Sequence, residues 1–203
     1  MRVRQWIRGK GLFVVAALVG AVLASSGLQA QSRGVEETTL SLRRALAKLP
    51  YYGVFDYLTF SVDRGTVTLQ GYTYTGTLRA DAERAAKRVS GVDEVANRLE
   101  VLPVSLNDDR IRRATFYRIY TDSFLSRYAS GGPRAAYYEA LDFGRYPGRQ
   151  PFGYYPIHII VNRGRTTLMG VVDSASDRQL AEFRAREVSG VFAVANELVV
   201  SRQ

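Results

Sequence analysis

The sequence predicts an α+β fold built from two tandem copies of one small unit, each with the order helix, strand, strand, helix, strand. Three observations carry this. First, "VSGVDEVANRLEV" (Val89 to Val101) returns 99 positions later as "VSGVFAVANELVV" (Val188 to Val200). Second, at that offset Phe60–Leu102 lies over Ile159–Ser201 without a gap, with identities such as Val62/Val161, Gly65/Gly164, Leu69/Leu168, Gly71/Gly170, Glu83/Glu182 and Asn97/Asn196. Third, apolar spacing inside each copy switches between the helical and the two-residue period.

In the first unit, "TTLSLRRALAKLP" opens on hydroxyls and ends in Pro50, with Leu42, Ala45, Leu46 and Leu49 at helical spacing. "YLTFSVDRGTVTLQG" then alternates. Leu58, Phe60 and Val62 share a face, Asp63-Arg64-Gly65 turns the chain, and Val67 and Leu69 resume that face, which describes a β-hairpin. "TLRADAERAAKRV" places Leu78, Ala82, Ala85 and Val89 on one helical side, with Gly91 beyond its end. "VANRLEV" closes the unit, with Leu99 and Val101 inward and Arg98 and Glu100 outward. A three-stranded mixed sheet with both helices on one face buries all these stripes.

The second unit repeats the order, with a capping box expected from Ser176 to Gln179. Its outer sheet face carries His158, Ile160, Thr167, Met169, Glu197 and Val199 and is the more apolar of the two. Ile160, Met169 and Val199 are therefore expected to be covered by the first unit or by an insertion. That insertion, about 129–156, carries five Gly and four Pro and separates the second unit's first helix from its first strand, with a short helix expected from Pro133 to Leu141.

The first thirty residues stand apart. Arg2, Arg4, Arg8 and Lys10 precede an apolar run from Leu12 to Ala24 and a small-residue exit, the pattern of a secretory signal peptide cleaved after Ala30. The expected organisation is thus 1–30 signal peptide, 31–107 first domain, and 108–203 second domain with its insertion. Removing the leader lowers the net charge from +9 to +5. The remaining excess concentrates in residues 110–165, where ten Arg face Asp122, Glu139 and Asp142.

No catalytic constellation stands out. The chain has no Cys and one His, which excludes thiolate nucleophiles, Cys-based metal sites and a two-His metal site within the chain. His158 reads as a sheet-surface residue with no catalytic role, Ser189-Gly190 lacks the nucleophile-elbow pattern, and "GGPR" lacks the Lys-Ser/Thr of a phosphate loop. Glu36-Glu37 and Asp108-Asp109 suit helix starts. No enzyme activity, cofactor or metal is expected.

The motifs "VDRGTVTLQG" and "VNRGRTTLMG", each followed by a helix and a Gly-Val and Val-x-Asn-x-Leu segment, resemble the BON domain of bacterial envelope proteins, osmotically induced ones among them. Val62, Gly65, Val67, Leu69, Gly71, Gly91, Val92, Val95, Asn97 and Leu99 fit the family pattern. Val161, Gly164, Leu168, Gly170, Gly190, Val191, Val194, Asn196 and Leu198 fit it again, with Thr166 in place of the valine. The resemblance implies tandem, exported, non-enzymatic modules that associate with anionic phospholipid or with envelope proteins in the periplasm, at the periphery of a membrane.

Two partner classes follow. For anionic phospholipid, the helix within Asp108–Tyr128 is expected to bury Ile111, Ala114, Tyr117, Tyr120, Phe124, Leu125 and Tyr128 and to expose Phe116 and Ile119, flanked by Arg112 and Arg127. The competing expectation packs Phe116 and Ile119 under the insertion. For a protein partner, the insertion offers Tyr137, Tyr138, Tyr146, Tyr154 and Tyr155 interleaved with Arg134, Arg145 and Arg149, residue types enriched at interfaces. Nucleic acid would suit the charge but not the export signal.

Overall fold

The computed structural model describes residues 34–145 and 150–202; the leader 1–30 lies outside the described residues, as do Tyr146 and Arg149. Helix α1 (34–47) is followed by β1 (Tyr57–Asp63), β2 (Thr66–Thr73), α2 (Gly76–Lys87) and β3 (Glu94–Val101). The second unit comprises α3 (Leu106–Tyr120), a 3-10 turn (Leu125–Tyr128), α4 (Gly132–Arg145), β4 (Ile157–Asn162), β5 (Arg165–Val172), α5 (Ala175–Arg186) and β6 (Ala193–Val200). Each unit holds one three-stranded mixed sheet, with β2 or β5 central, antiparallel to the strand before it and parallel to the strand after it.

The local chemistry of the repeat explains these elements. Arg64 and Gly65 both have positive φ (44° and 81°), as do Arg163 and Gly164 (52° and 74°), which makes each hairpin loop a two-residue turn whose twist matches its strands. Gly71 and Gly170 sit where a Cβ would come within 2.0 Å of the Tyr57 and Pro156 carbonyl oxygens, so only glycine lets the central strand pass there. The repeated Glu and Asn form a clamp. Asn97 donates to the Arg79 carbonyl (3.1 Å) and to Glu83 (3.0 Å), while its Oδ1 accepts from the Leu99 N–H (3.2 Å). Asn196 repeats this with Arg178, Glu182 and Leu198. Strand and helix are thereby locked at the same point in both units.

The predicted register holds: Leu69 and Leu168 are fully buried and Gln70 is exposed. Three local expectations are corrected. Val101 is 42% exposed, because it lies at the last position of an edge strand. The cap of α5 is Ser174, which accepts from the Asp177 N–H (3.1 Å) and donates to its carboxylate (2.6 Å), so the helix is capped two residues before Ser176 and by the Ser174–Asp177 pair in place of Ser176–Gln179. The insertion helix α4 is longer than Pro133–Leu141.

The first core joins Leu42 and Leu46 of α1 to Val67, Leu69, Ala82, Ala86 and Leu99. The second core includes Val54 and Phe55, which belong to the α1–β1 connection of the first unit. That connection runs beside β4: the Val54 carbonyl accepts from the Ile159 N–H (2.8 Å), and the Val54 N–H donates to the Pro151 carbonyl (3.2 Å). Because β4 is an edge strand, this pairing occupies part of its exposed hydrogen-bonding edge. Of the apolar outer-face residues, Ile160 is buried, Met169 is half-buried and Val199 is 61% exposed. The first unit reaches the β4 side of that face, where the Tyr52 and Tyr57 rings lie 5.5 Å from the His158 ring.

Candidate functional site

Helix α3 determines which surfaces are available. It starts at the Ser105 cap, which accepts from the Asp108 N–H (3.2 Å). Asp108 is buried and accepts from the Arg163 and Gly164 N–H groups of the β4–β5 turn (2.9 and 2.8 Å), which ties the helix start to the sheet.

The next turns differ from the expected wheel. Arg112, Phe116 and Ile119 are fully buried. The Arg112 guanidinium donates to the Val161 carbonyl and to Asp109 (both 2.5 Å) and lies 5.1 Å from the centre of the Tyr74 ring of the first unit. Asp109 in turn accepts from the Tyr74 hydroxyl (3.1 Å). Burial, then the Asp109 charge and hydrogen bond, push the Tyr74 phenol up to about 12. The Phe116 ring lies 5.8 Å from that of Tyr155, at the end of the insertion, and 4.9 Å from Tyr120. The physical reason for the correction is that α3 is covered on two sides, by its own sheet and by the insertion together with Tyr74. Truncating these residues would open a core rather than bare a surface.

Arg127 stays about half-exposed, but its charge is engaged: it pairs with Asp177 and lies 3.6 Å from Asp173. Asp177 stands where the first unit has Leu78, and Tyr128 and Ser174 also donate to it. Burial opposes the ionised form of Asp177, yet these hydrogen bonds and the Arg127 charge hold its carboxyl below the usual range.

The other predicted core residues divide. Ile111, Tyr120, Leu125 and Tyr128 are buried, Ala114 is half-buried, and Tyr117 and Phe124 are exposed. Tyr117 meets the insertion at the surface. Its ring lies 6.4 Å from Tyr137, which lies 5.7 Å from Tyr138 in an edge-to-face contact. Tyr117, Tyr137, Tyr138 and Leu141 are 44%, 44%, 60% and 51% exposed. On α4 the exposed Arg134 lies one turn before Tyr137 and Tyr138, and on α3 Arg118, next to Tyr117 in the chain, is about half-exposed and 3.9 Å from Glu187 at the end of α5. Glu139 is drawn inward by the Tyr155 hydroxyl, so Asp142 is the one exposed carboxylate among the described residues of α4. The side chains of Arg145 and Arg149 lie outside the described set. Of the predicted binding residues, Arg134, Tyr137 and Tyr138 thus lie exposed on α4, and Tyr117 of α3 meets them there.

The unit interface holds a buried polar cluster that sequence reasoning missed. Asp56 accepts from the Tyr74 N–H (2.6 Å), the Gly53 N–H (2.9 Å) and Gln150 Nε2 (2.6 Å). Burial raises its carboxyl to about 6 against the pull of these hydrogen bonds and of the Arg112 charge. His158 is also buried, with its Nε2 3.5 Å from the Tyr52 hydroxyl, and burial lowers its imidazole to about 4. The readable signal was Val54-Phe55, an apolar pair within a connection.

Among the described residues, no group of His, Asp or Glu could hold a metal ion, and no helix is long and apolar enough to cross a membrane.

The family model of the BON domain matches residues 35–103 and 147–202, more than half of the chain and both repeated units. The chain belongs to the BON-domain family. No curated protein matches it. Two solved structures that it resembles belong to CdsD, a structural protein of the Type III secretion system of Chlamydia trachomatis. One is the C-terminal domain, at 12% identity over 80% of this chain and 96% of that one, with a TM-score of 0.23. The other is also at 12%, over 80% and 91%, with a TM-score of 0.25. The second BON match begins at 147, so α3, the 3-10 turn and α4 all precede it. The Tyr/Arg strip is therefore built from segments outside both matched regions.

Proposed function

We propose that this chain is an exported, non-enzymatic BON-domain protein of the bacterial envelope that binds anionic phospholipid at the membrane surface. In this reading residues 1–30 are the removed leader, 31–107 the first domain and 108–203 the second. The contact is the exposed α3–α4 strip rather than the buried residues Arg112, Phe116 and Ile119.

The observation that carries the reading is the exposed run Tyr117–Tyr137–Tyr138, with Leu141 and Arg134 exposed on the same helix α4 and Arg118 next to Tyr117 on α3. Tyrosine rings suit the headgroup level of a bilayer, and guanidinium groups suit its phosphates. Membership of a non-catalytic, envelope-associated family supports the same reading.

Co-sedimentation of residues 31–203 with phosphatidylglycerol vesicles, against phosphatidylcholine vesicles and across a salt series, tests it. Binding confined to anionic vesicles and fading with salt is expected. Equal binding to both vesicle types, or none, contradicts it. Tyr and Arg are also enriched at protein interfaces, so a strip that ignores vesicles would stand as a protein-docking surface.

A further inference from the structure

A cavity of about 490 Å³ lies between the two BON modules, within the ~300–1,000 Å³ of small-molecule sites. It draws Arg43, Leu46 and Leu49 from α1 and its end, Leu58 and Phe60 from β1, and Phe152, Tyr154 and His158 from the second module. None of its lining residues belongs to the α3–α4 strip. Arg43 is the one lining side chain with a full charge, because burial keeps His158 neutral near pH 7, and no carboxylate lines the cavity. Arg43 is exposed and makes no ion pair among the described residues.

The aromatic residues here are arranged at a conformational cost. Tyr51 has φ of 67°, a left-handed conformation that non-glycine residues rarely adopt and that is retained where the surroundings enforce it. Gln150 holds it by donating to the Tyr51 carbonyl (3.1 Å). The Tyr51 ring then meets Phe152 edge-on at 5.6 Å, and the two remain 64% and 44% exposed, beside Tyr154 at 82%. Three large rings left in water around a cavity with apolar walls represent area that a ligand would bury.

We propose that this cavity binds a single-chain anionic amphiphile: one acyl chain along Leu46, Leu49, Leu58 and Phe60, with its carboxylate or phosphate head on Arg43. A guanidinium suits either head as a forked donor. The lack of any lining carboxylate disfavours a cationic ligand, and the apolar walls disfavour a polar one. The same head and tail occur in a free fatty acid and in a lysophospholipid, so the experiment separates the two.

The full chain is titrated with a fluorescent 18-carbon fatty acid, which is then displaced by oleate, lysophosphatidylglycerol or oleyl alcohol, all below their micelle-forming concentrations. Saturable binding is expected, displaced by oleate if free acids are the ligand and by lysophosphatidylglycerol if the source is the membrane. Arg43→Glu, at an exposed helix position, should weaken both anions by about tenfold or more and leave oleyl alcohol unchanged. Leu58→Trp should fill the cavity and abolish binding of all three. The Arg118→Glu/Arg134→Glu variant should bind oleate as the wild type does, which separates this site from the membrane contact proposed above. The inference is overturned if the wild type does not bind, if Arg43→Glu binds oleate unchanged, or if it loses the alcohol equally. It is also overturned if folded Leu58→Trp keeps wild-type affinity.

Discussion

Asp56 and His158 face each other's modules at the same interface, and their proton linkages run in opposite directions. Asp56 titrates near 6 in the folded chain against an ordinary 3.8, because burial disfavours its charge. The folded state therefore binds the proton more tightly, and stability falls as pH rises from about 4 through 6. The difference corresponds to about 3 kcal/mol. His158 titrates near 4 against an ordinary 6.5, because burial disfavours the imidazolium. Its contribution is fully present above 6.5 and is lost as pH falls toward 4, again by about 3 kcal/mol. The two slopes nearly cancel in the wild type. His158→Phe keeps a ring against Tyr52 and Tyr57 but removes the imidazole. In urea melts at pH 7.5, 6, 5 and 4, its stability relative to wild type should climb by about 3 kcal/mol on acidification. Asp56→Asn should move the opposite way. It should also start lower, by about 1–3 kcal/mol at pH 7.5, since an amide cannot accept from the Tyr74, Gly53 and Gln150 donors together. Differences flat to within ~0.5 kcal/mol for both variants, the scatter of ordinary surface changes, would refute the burial of this pair.

Other outcomes follow from the same packing. Leu69→Ala and Leu168→Ala should each cost ~2–5 kcal/mol in denaturant melts, with Gln70→Ala near neutral, because both leucines are fully buried and Gln70 faces water. Phe116→Ser should cost at least ~3 kcal/mol, since it places a hydroxyl among Tyr120 and Tyr155; a near-neutral melt would return that residue to the surface. Asn196→Ala should lower stability by ~1–3 kcal/mol through its lost hydrogen bonds to Arg178, Glu182 and Leu198. Cell fractionation with N-terminal sequencing should find a periplasmic protein starting near Gln31, and a full-length cytosolic product would contradict export.

Much of the fold was legible in the sequence because its determinants are local. Alternation set the strand register, the Arg-Gly pairs set the hairpin turns, and the offset of 99 exposed the repeat. The α3 surface was not legible, because a helical wheel shows which residues share a side and not how many sides are covered. Arg112, Phe116 and Ile119 do share a side, but the insertion and Tyr74 lie over it. The interface cluster was hidden for a related reason: Asp56 and Gln150 are 94 residues apart, and neither belongs to the repeated pattern. Composition alone could not sort the insertion's tyrosines: Tyr137 and Tyr138 are exposed, whereas Tyr155 of the same set is buried against Phe116 and Tyr120.

The most direct test of the membrane contact compares two charge reversals in one vesicle assay. Arg118→Glu with Arg134→Glu changes the α3–α4 strip, whereas Arg64→Glu with Arg98→Glu changes exposed positions of the first module by the same net charge. Each basic residue near an anionic surface contributes ~1 kcal/mol. The strip variant should therefore bind phosphatidylglycerol vesicles more than tenfold more weakly at low salt, while the first-module variant stays close to wild type. Equal loss in both would reduce the interaction to net charge, and undiminished binding by the strip variant would contradict the assignment of the α3–α4 face.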